Sequence, residues 1–517
     1  MQSTPSPACS VDDKVGYALT EAAGNLGGPA SGPRGNIRDS TVNSWAGSSM
    51  YHPLVHFEEP VPDIVYNFVA VGNSLVEGQD AGGQPWPTQL STKLTHAGVP
   101  FTIANKGHGA NATEYLADRP NFSLTYKIPA DVDPLYNTDP LAVNILIFQE
   151  VINDIYYGST GAQAYANVAT YMSTLADPGW FKIVIMPTPR DNPGTVQPTY
   201  DNERQNFINL VAADPTFGGT VDAVWRVDQD SRLGSDTSDN DGYYYYLSGG
   251  ADTKTHWLSR AHSIAASALM DILGTHFPSA FPYKPQYAPW PAALFSAAKS
   301  GSVLTTSGGP ASNGQAVTTW VHDGSLESGN LGLEAGTPTY STTGFGGDPA
   351  ITMGVNSSFV TVGAIGTGRG TLAVTVYATS PGFATWGNLL GSDRRLYAAA
   401  DGDAYDVTGM VINNAIYAAT AAPAGTVTGA PHVLVFTFDG TAAGQKVYLD
   451  GTQVGTTSST GDPGDAFTQQ VFHVGHSAAS LVGSIGEVFI SPIPLSTAER
   501  KKLENSWGSL RGITIAP

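Results

Sequence analysis

Five short and almost wholly apolar runs recur between residues 66 and 227: YNFVAVG, PFTIAN, VNILIFQ, FKIVIMP and DAVWRV. Runs without polar alternation are typical of strands that are buried on both faces, as in a parallel sheet. Between them lie helical stretches such as WPTQLSTKLTHAG, GAQAYANVATYMSTLAD and HWLSRAHSIAASALMDILGTHF. Strand and helix therefore alternate, which predicts a doubly wound, flavodoxin-like α/β sheet with its active site at the carboxyl ends of the strands.

The pattern changes on both sides of this segment. The first 60 residues are rich in Gly, Pro, Ser and Asn and show no sustained periodicity, whereas short strands and Gly/Asp turns such as HVLVFTFDG and GSIGEVFISP dominate after about residue 290. Near the end, Ser496 and Glu499 have the spacing of a helix capping box. The predicted units are an N-terminal arm or attachment segment (1–60), the α/β domain (61–278), a Pro-rich linker (279–292) and an all-β sandwich (293–510).

Charge and composition narrow the expected partners. The chain has 24 Lys plus Arg against 44 Asp plus Glu, a formal net charge of −20, which repels nucleic acid and anionic membranes. No apolar run of about 18 residues is present, so we expect no membrane insertion. The opening MQSTPSPACSVDDKV lacks the features of a signal peptide, and a single cysteine, Cys9, excludes an intrachain disulfide. These features favour a protein made in a reducing cytoplasm that acts outside a cell, such as a virion component, and otherwise a cytoplasmic one.

The first predicted strand runs into VGNSLVEG, where glycines on both sides of Ser74 allow a sharp turn that exposes the hydroxyl group. A nucleophilic serine is one interpretation. The alternative is an ordinary helix N-cap after a strand.

Three further segments follow later strands or precede the last helix. In ANKGHGANAT, Gly109 and Ala110 lie in a turn whose backbone N–H groups suit a developing oxyanion, and in FQEVINDI the amide of Asn153 is a neutral donor of the same kind. In GADTKTHWL, His256 is placed to take the serine proton and Asp252 to orient the imidazole ring. Each segment alone also fits a turn, a cap or a structural histidine, but their joint order favours a catalytic site.

In that order of blocks the sequence resembles the SGNH (GDSL-like) hydrolase family over about residues 62–277, and the Trp86-Pro87 pair is typical of it too. The resemblance implies a serine esterase without metal or cofactor. Ser74 would attack the ester, and His256 would accept the serine proton. The oxyanion would be held by the Ser74 N–H, the Gly109/Ala110 turn and Asn153.

The chain departs from the family pattern at four places. Asn73 replaces an Asp, Val151 replaces a Gly, and Ala110 stands where the family has its oxyanion glycine. The family's catalytic Asp stands three residues before the His, where this chain has Thr253, with Asp252 one residue earlier. Either Asp252 or a backbone carbonyl is therefore expected to orient His256.

The segment SDTSDNDGYYYYL precedes the His256 block. The spacing of its acidic residues does not fit a calcium loop, so no metal site is expected there. The tyrosines Tyr243, Tyr244, Tyr245 and Tyr246 are weak candidates for stacking on sugar rings, and buried packing is the alternative.

The second half resembles a concanavalin A-like (laminin-G-type) jelly roll in its Tyr-x-Asp-Gly hairpin and its closing Gly-x-Ile-Gly-Glu strand. The matching residues are Tyr448, Asp450, Gly451, Gly486 and Glu487. They are turn and packing positions that specify fold rather than ligand.

Together these observations predict an esterase that removes acyl groups, in particular acetyl groups, from a carbohydrate or surface polysaccharide. The β module would bind glycan or assemble with other virion subunits or with further copies of the chain, as in a phage tail or receptor-binding protein. Two alternatives remain open: a catalytically inactive adhesion or structural virion protein, and a secreted lipase or esterase.

Overall fold

The protein is described here from a computed structural model. Its described residues are 64–113, 123–190, 199–247, 254–291, 293–323, 330–345, 347–354, 356–361, 369–380, 382–389, 392–398, 407–412, 415–421, 429–439, 446–456, 471–475 and 482–517. The predicted N-terminal arm lies outside them. Residues Ile64–Pro517 form one compact unit.

The first part of this unit alternates strands and helices, as its apolar runs predict. Its elements are β1 (Val65–Gly72), α1 (Ser74–Glu77), α2 (Trp86–Ala97), β2 (Phe101–Gly107), α3 (Leu124–Lys127), β3 (Ala142–Gln149), α4 (Ile152–Tyr156), α5 (Gly161–Thr174), β4 (Phe181–Ile185), α6 (Tyr200–Ala213), β5 (Ala223–Trp225) and α7 (Ser259–His276). A π-helical turn spans Ile128–Val132, and 3₁₀ turns span Asp133–Leu135, Val227–Gln229, Ser238–Asn240 and Pro285–Tyr287. None of the helices among the described residues is long and apolar enough to cross a membrane.

The five strands form one parallel sheet in the order β2-β1-β3-β4-β5. This order confirms the predicted doubly wound α/β fold, and it is the flavodoxin-like one. Gly72 at the end of β1 pairs with Gly107 of β2 on one side and with Gln149 of β3 on the other. Strand β2 is added on one side of β1 and β3 on the other, so the strand order reverses between β1 and β3, where such sheets form a ligand crevice at the carboxyl ends of their strands.

Burial explains why the central strands lack polar alternation. In β1 every residue from Tyr66 to Gly72 is buried, and in β3 every residue from Asn144 to Gln149 is buried. Helices α2 and α7 each bury an apolar side in the same core. The sheet is therefore a rigid platform whose upper edge holds the loops that follow β1, β2 and β3.

The second part is built from strands and one terminal helix. These are β6 (Ala293–Ser296), β7 (Val303–Leu304), β8 (Thr319–Trp320), β9 (Leu331–Ala335), β10 (Thr339–Phe345), β11 (Asp348–Met353), β12 (Ser358–Thr361), β13 (Gly370–Ser380), β14 (Gly382–Leu389), β15 (Ser392–Ala398), β16 (Val407–Ile412), β17 (Ala415–Ala421), β18 (Pro431–Phe438), β19 (Lys446–Leu449), β20 (Thr452–Thr456), β21 (Val471–Gly475), β22 (Val482–Ser491) and α8 (Thr497–Arg511). An eight-stranded sheet runs β10-β11-β22-β13-β18-β19-β20, with β6 paired to β22, and a nine-stranded sheet runs β17-β16-β15-β14-β21-β12-β9-β8-β7. Both are antiparallel, as expected for an all-β module, while the jelly-roll topology stays a prediction.

The two antiparallel sheets meet in an apolar interior. Phe295 of β6 lies 5.7 Å from Trp320 of β8, measured between ring centroids. On the opposite face of the eight-stranded sheet, Leu503 and Trp507 of α8 are buried against Val433 and other apolar residues. Helix α8 therefore covers one side of this sheet.

Local signals in the β module match the structure. Ser496 caps α8, and its side chain and that of Glu499 form the predicted capping box. Asp450 and Gly451 both have positive φ, as a tight hairpin between β19 and β20 requires. Glu487 pairs with Arg511 of α8 in a fully buried contact, so it serves packing.

Polar contacts join the two parts. Arg232 of the α/β part donates to both carboxylate oxygens of Glu499, each at 2.9 Å, and to the carbonyl of Pro494. Lys93 on α2 is 4% exposed, and its ammonium donates to the carbonyls of the three residues 286–288 in the linker. Burial lowers the pKa of Lys93 to about 7. The domain boundaries given above stay predictions.

Candidate active site

Ser74 is the first residue of α1, directly beyond the end of β1. Asn73 shapes this turn: its Oδ1 accepts from the Leu75 N–H at 2.9 Å, while its Nδ2 donates to the Glu150 carbonyl at 3.2 Å. An ionised Asp accepts hydrogen bonds but cannot donate one. Asn73 therefore both caps the helix and ties the serine turn to the end of β3.

Gly72 allows this turn to lie close to β3. A Cβ atom at this position would lie 2.0 Å from the carbonyl oxygen of Gln149. Only glycine fits such an approach without moving the backbone. The glycine therefore brings the serine turn against the strand that leads to Asn153.

A chain of two hydrogen bonds links Ser74 to a carboxylate. The Nε2 atom of His256 lies 2.8 Å from Ser74 Oγ, and its Nδ1 atom lies 2.7 Å from Asp80 Oδ2. A carboxylate at Nδ1 holds the proton on that nitrogen, so the Nε2 lone pair faces the serine hydroxyl. His256 is 1% exposed, which excludes most solvent from the pair.

The carboxylate that the structure places at Nδ1 belongs to Asp80, whereas the sequence predicted Asp252 or a backbone carbonyl in this role. Asp252 itself lies outside the described residues. Asp80 follows the serine helix by three residues and adopts a left-handed backbone conformation with φ of 63°. Its turn is held by the Ser259 hydroxyl, which donates to the Ala81 carbonyl at 2.7 Å.

The structure places His256 just before the last helix of the α/β part, although the predicted helical stretch began at this residue. Helix α7 begins at Ser259, so His256 lies in the turn before the helix instead of opening it. The Tyr246 N–H donates to the carbonyl of His256 at 3.0 Å. The tyrosine segment therefore fixes the backbone that carries the imidazole.

The turn after β2 lies beside Ser74 and contains both candidate oxyanion donors, Gly109 and Ala110, which differ in whether their N–H group is already bonded. The Gly109 N–H donates to Glu77 Oε2 at 2.7 Å, so it is already engaged. Ala110 adopts φ of 63°, a conformation that favours glycine, and no group among the described residues accepts its N–H. Ala110 is therefore the better placed donor of the two.

Asn153 on α4 lies at the same edge of the sheet. Its Nδ2 donates to the Asn111 carbonyl at 2.7 Å, and its Oδ1 accepts from Arg190 Nη1 at 3.1 Å. A side-chain amide has two N–H bonds. One of them remains for a ligand.

Two buried carboxyl groups lie beneath this edge. Asp154 Oδ1 accepts from the Thr113 N–H at 2.9 Å, which braces the turn after β2. Glu150 is 1% exposed. Burial, and then the neighbouring charge of Asp154, raise the pKa of Glu150 well above its ordinary value, although the charge of Arg190 opposes the shift. Burial at this edge therefore favours the protonated form of Glu150.

The four tyrosines do not form one surface. Tyr244 and Tyr245 are fully buried, and the Tyr245 hydroxyl donates to the Leu233 carbonyl at 2.7 Å. Tyr243 packs against Arg260 and Arg369 and donates to the Pro492 carbonyl of the β part. These contacts favour the packing alternative over sugar stacking for these three residues; Tyr246 is half-buried.

The acidic residues beside the tyrosines have protein partners. Asp236 pairs with Arg204, and Asp241 pairs with Arg369. Among the residues that the structure describes, no group of three or more His, Cys, Asp or Glu side chains is arranged to hold a metal ion.

Sequence reasoning missed three residues of this site: Asp80, Glu77 and Arg190. For Asp80 a signal existed, because it is the one acid in the Gly-rich turn QDAGGQP between the serine helix and Trp86. We did not consider Asp80 from the sequence because the acid was expected just before the histidine.

No family model matches the chain, and no curated protein matches it. Among solved structures, the native aryl esterase of M. smegmatis is similar at 14% identity, covering 41% of this chain and 99% of that one, with a TM-score of 0.31. A lipolytic protein of the G-D-S-L family from Veillonella parvula is 14% identical over 40% of this chain and 97% of that one, with a TM-score of 0.30. Domain 4 of a family 43 extracellular arabinanase from Geobacillus stearothermophilus, in complex with arabinotriose, is 17% identical over 42% of this chain and 99% of that one, with a TM-score of 0.27.

Proposed function

We propose that this protein is a serine ester hydrolase in which Ser74 is the nucleophile, His256 the general base and Asp80 the carboxylate that orients the base. The observation that carries the proposal is the continuous chain from Ser74 Oγ through both ring nitrogens of His256 to Asp80 Oδ2, with bonds of 2.8 and 2.7 Å. Such a chain activates a hydroxyl that is otherwise a weak nucleophile.

The reaction follows from this geometry. Ser74 Oγ forms a bond to the ester carbonyl carbon while its proton passes to His256 Nε2, and the carbonyl electron pair moves onto oxygen. The N–H groups of Ser74 and Ala110 and the remaining amide N–H of Asn153 stabilise that oxyanion. When the tetrahedral intermediate collapses, the alcohol leaves with the proton from Nε2, and an acyl group remains on Ser74. Water, activated by the same nitrogen, then releases the acid.

For the substrate, we propose acyl groups, and acetyl groups in particular, on a carbohydrate or surface polysaccharide. The β module would bind glycan or assemble with other subunits, as in a phage tail or receptor-binding protein. The alternative of an inactive adhesion protein predicts that the serine, histidine and acid have lost their mutual hydrogen bonds. The bonds are present, which favours the enzyme.

The test compares the full chain with its Ser74→Ala variant. Wild type is expected to hydrolyse p-nitrophenyl acetate and to release acetate from at least one acetylated polysaccharide in a panel. The variant should lose on the order of 10³-fold or more in kcat because it lacks the attacking oxygen. Adding His256→Ala to Ser74→Ala should cost little further, since the two groups act as a unit.

A Ser74→Ala protein that hydrolyses acetyl esters at the wild-type rate would overturn the proposal. A folded wild type that cleaves no ester at all would favour the adhesion alternative. Circular dichroism of each variant shows whether a lost rate comes from lost folding.

A further inference from the structure

Arg190 lies beyond the end of β4, at the same edge of the sheet as Asn153. Its Nη1 donates to Asn153 Oδ1 at 3.1 Å. Its guanidinium carbon lies 3.5 Å from the centroid of the Tyr156 ring, and Tyr156 belongs to the same short helix as Asn153. The guanidinium is therefore attached to α4 at two points, one polar and one through cation–π contact.

The hydrogen bonds of the Asn153 side chain allow only one orientation of its amide group. With Oδ1 held by Arg190 and one Nδ2 hydrogen held by the Asn111 carbonyl, the second Nδ2 hydrogen is the one group left to bind a ligand. Turning the amide over would place Oδ1 against the Asn111 carbonyl and an N–H against the guanidinium. Both contacts would then be repulsive.

Besides fixing the orientation of the Asn153 amide, Arg190 polarises it through its positive charge. A cation that donates to an amide oxygen polarises the amide and strengthens the hydrogen bonds that its N–H groups donate. This effect is larger in a partly buried site than in water, because the screening is weaker.

We propose that Arg190 is a positioning residue for ester hydrolysis, acting through Asn153 to present a fixed and polarised N–H to the oxyanion. The inference rests on the proposed function. It requires no contact between Arg190 and the substrate.

Arg190 also lies near Glu150 and Asp154, where it lowers the pKa of Glu150 against the larger effects of burial and of Asp154. A purely structural role as counter-ion to these acids is the competing explanation. Such a role would change folding stability without any energetic coupling to Asn153.

A double-mutant cycle separates the two roles. Asn153→Ala should lower kcat by about 10²–10³-fold, the usual cost of removing one oxyanion donor. Arg190→Met should lower kcat by about 10–100-fold with KM changed by less than about threefold, because the lost interaction forms only in the transition state. Combining the two should cost no more than about threefold beyond Asn153→Ala alone.

The matched control is Arg226→Met. Arg226 follows β5 and pairs with Asp228, so this variant loses a partly buried arginine without touching Asn153. Its kcat should stay at the wild-type value. A phenylboronic acid, which forms a tetrahedral adduct on the serine, supplies a second measurement: Arg190→Met should weaken its binding in parallel with kcat/KM.

Additive losses in the cycle, an unchanged kcat in Arg190→Met, or a raised KM with normal kcat would each overturn the inference. If Arg190→Met does not fold, Arg190→Lys and Arg190→Gln enter the same cycle, and the lysine variant should retain more activity. Failure of the proposed function looks different, because then Ser74→Ala would keep the wild-type rate.

Discussion

At the scale of single residues, Asp80 is where sequence and structure disagree most. It is distant from His256 in the chain, yet its Oδ2 lies 2.7 Å from the imidazole Nδ1. Asp252, four residues before the histidine, was the acid expected from the order of the blocks. The Gly-rich turn around Asp80 marks that residue as a candidate, but the spacing in the sequence cannot show that it reaches the ring, because this depends on how the turn folds back over the sheet.

Replacing Asp80 and Asp252 separately by asparagine compares their contributions to kcat directly. Asp80→Asn should lower kcat by about 10²–10⁴-fold, because an amide can hold the imidazole in the wrong tautomer and cannot stabilise the imidazolium ion. Asp252→Asn should leave kcat within about twofold of wild type, because the carboxylate of Asp80 already occupies the hydrogen-bonding position at Nδ1 of His256. Steady-state kinetics on p-nitrophenyl acetate measure both. The reverse result, an inactive Asp252→Asn and an active Asp80→Asn, would restore the assignment made from the sequence.

At the scale of elements, the apolar runs predicted the parallel strands well because burial on both faces leaves a strong local signal. The helices at residues 86–97 and 161–174 and the capping box of α8 were equally readable, since helical spacing and caps are local properties. The predicted helical stretch began at His256, but α7 begins at Ser259. The sequence pattern does not separate the turn that carries the histidine from the helix that follows it. Contacts such as that of Arg190 with Asn153 join two strand ends, and no spacing within either segment encodes them.

Glu150, just beyond the end of β3, should make the free energy of unfolding depend on pH. Because the pKa of this buried carboxyl is raised, the folded protein keeps a proton that the unfolded chain releases near pH ~4.3. Between the unfolded and folded pKa values the folded state binds more protons, so the free energy of unfolding falls as the pH rises. Glu150→Gln is neutral at every pH and removes this term.

Below about pH 4 the free energy of unfolding should therefore vary with pH in the same way in wild type and in Glu150→Gln. As the pH rises above this value, the variant should gain stability relative to wild type. Urea unfolding at several pH values measures the difference, and groups that titrate equally in both proteins cancel. A difference that does not change with pH would show that Glu150 is not the group that holds the proton.

At the scale of the whole molecule, the α/β part and the β part share buried contacts. Arg232, with a side chain 10% exposed, pairs with Asp230 inside the α/β part and with Glu499 of α8. Tyr243 reaches the Pro492 carbonyl from the segment that also holds the His256 backbone. The catalytic turn and the β module are thus linked through one stretch of chain, so function is best tested on the full-length protein.

The central claim is that Ser74 is the nucleophile, and covalent labelling tests it most directly. A fluorophosphonate should react with the full-length protein at one site, and peptide mass spectrometry should place the phosphonyl group on the peptide that contains Ser74. Labelling should be absent in Ser74→Ala and much slower in His256→Ala, because the base that activates the hydroxyl is gone. Stoichiometric labelling of another serine, or wild-type labelling of Ser74→Ala, would contradict the account.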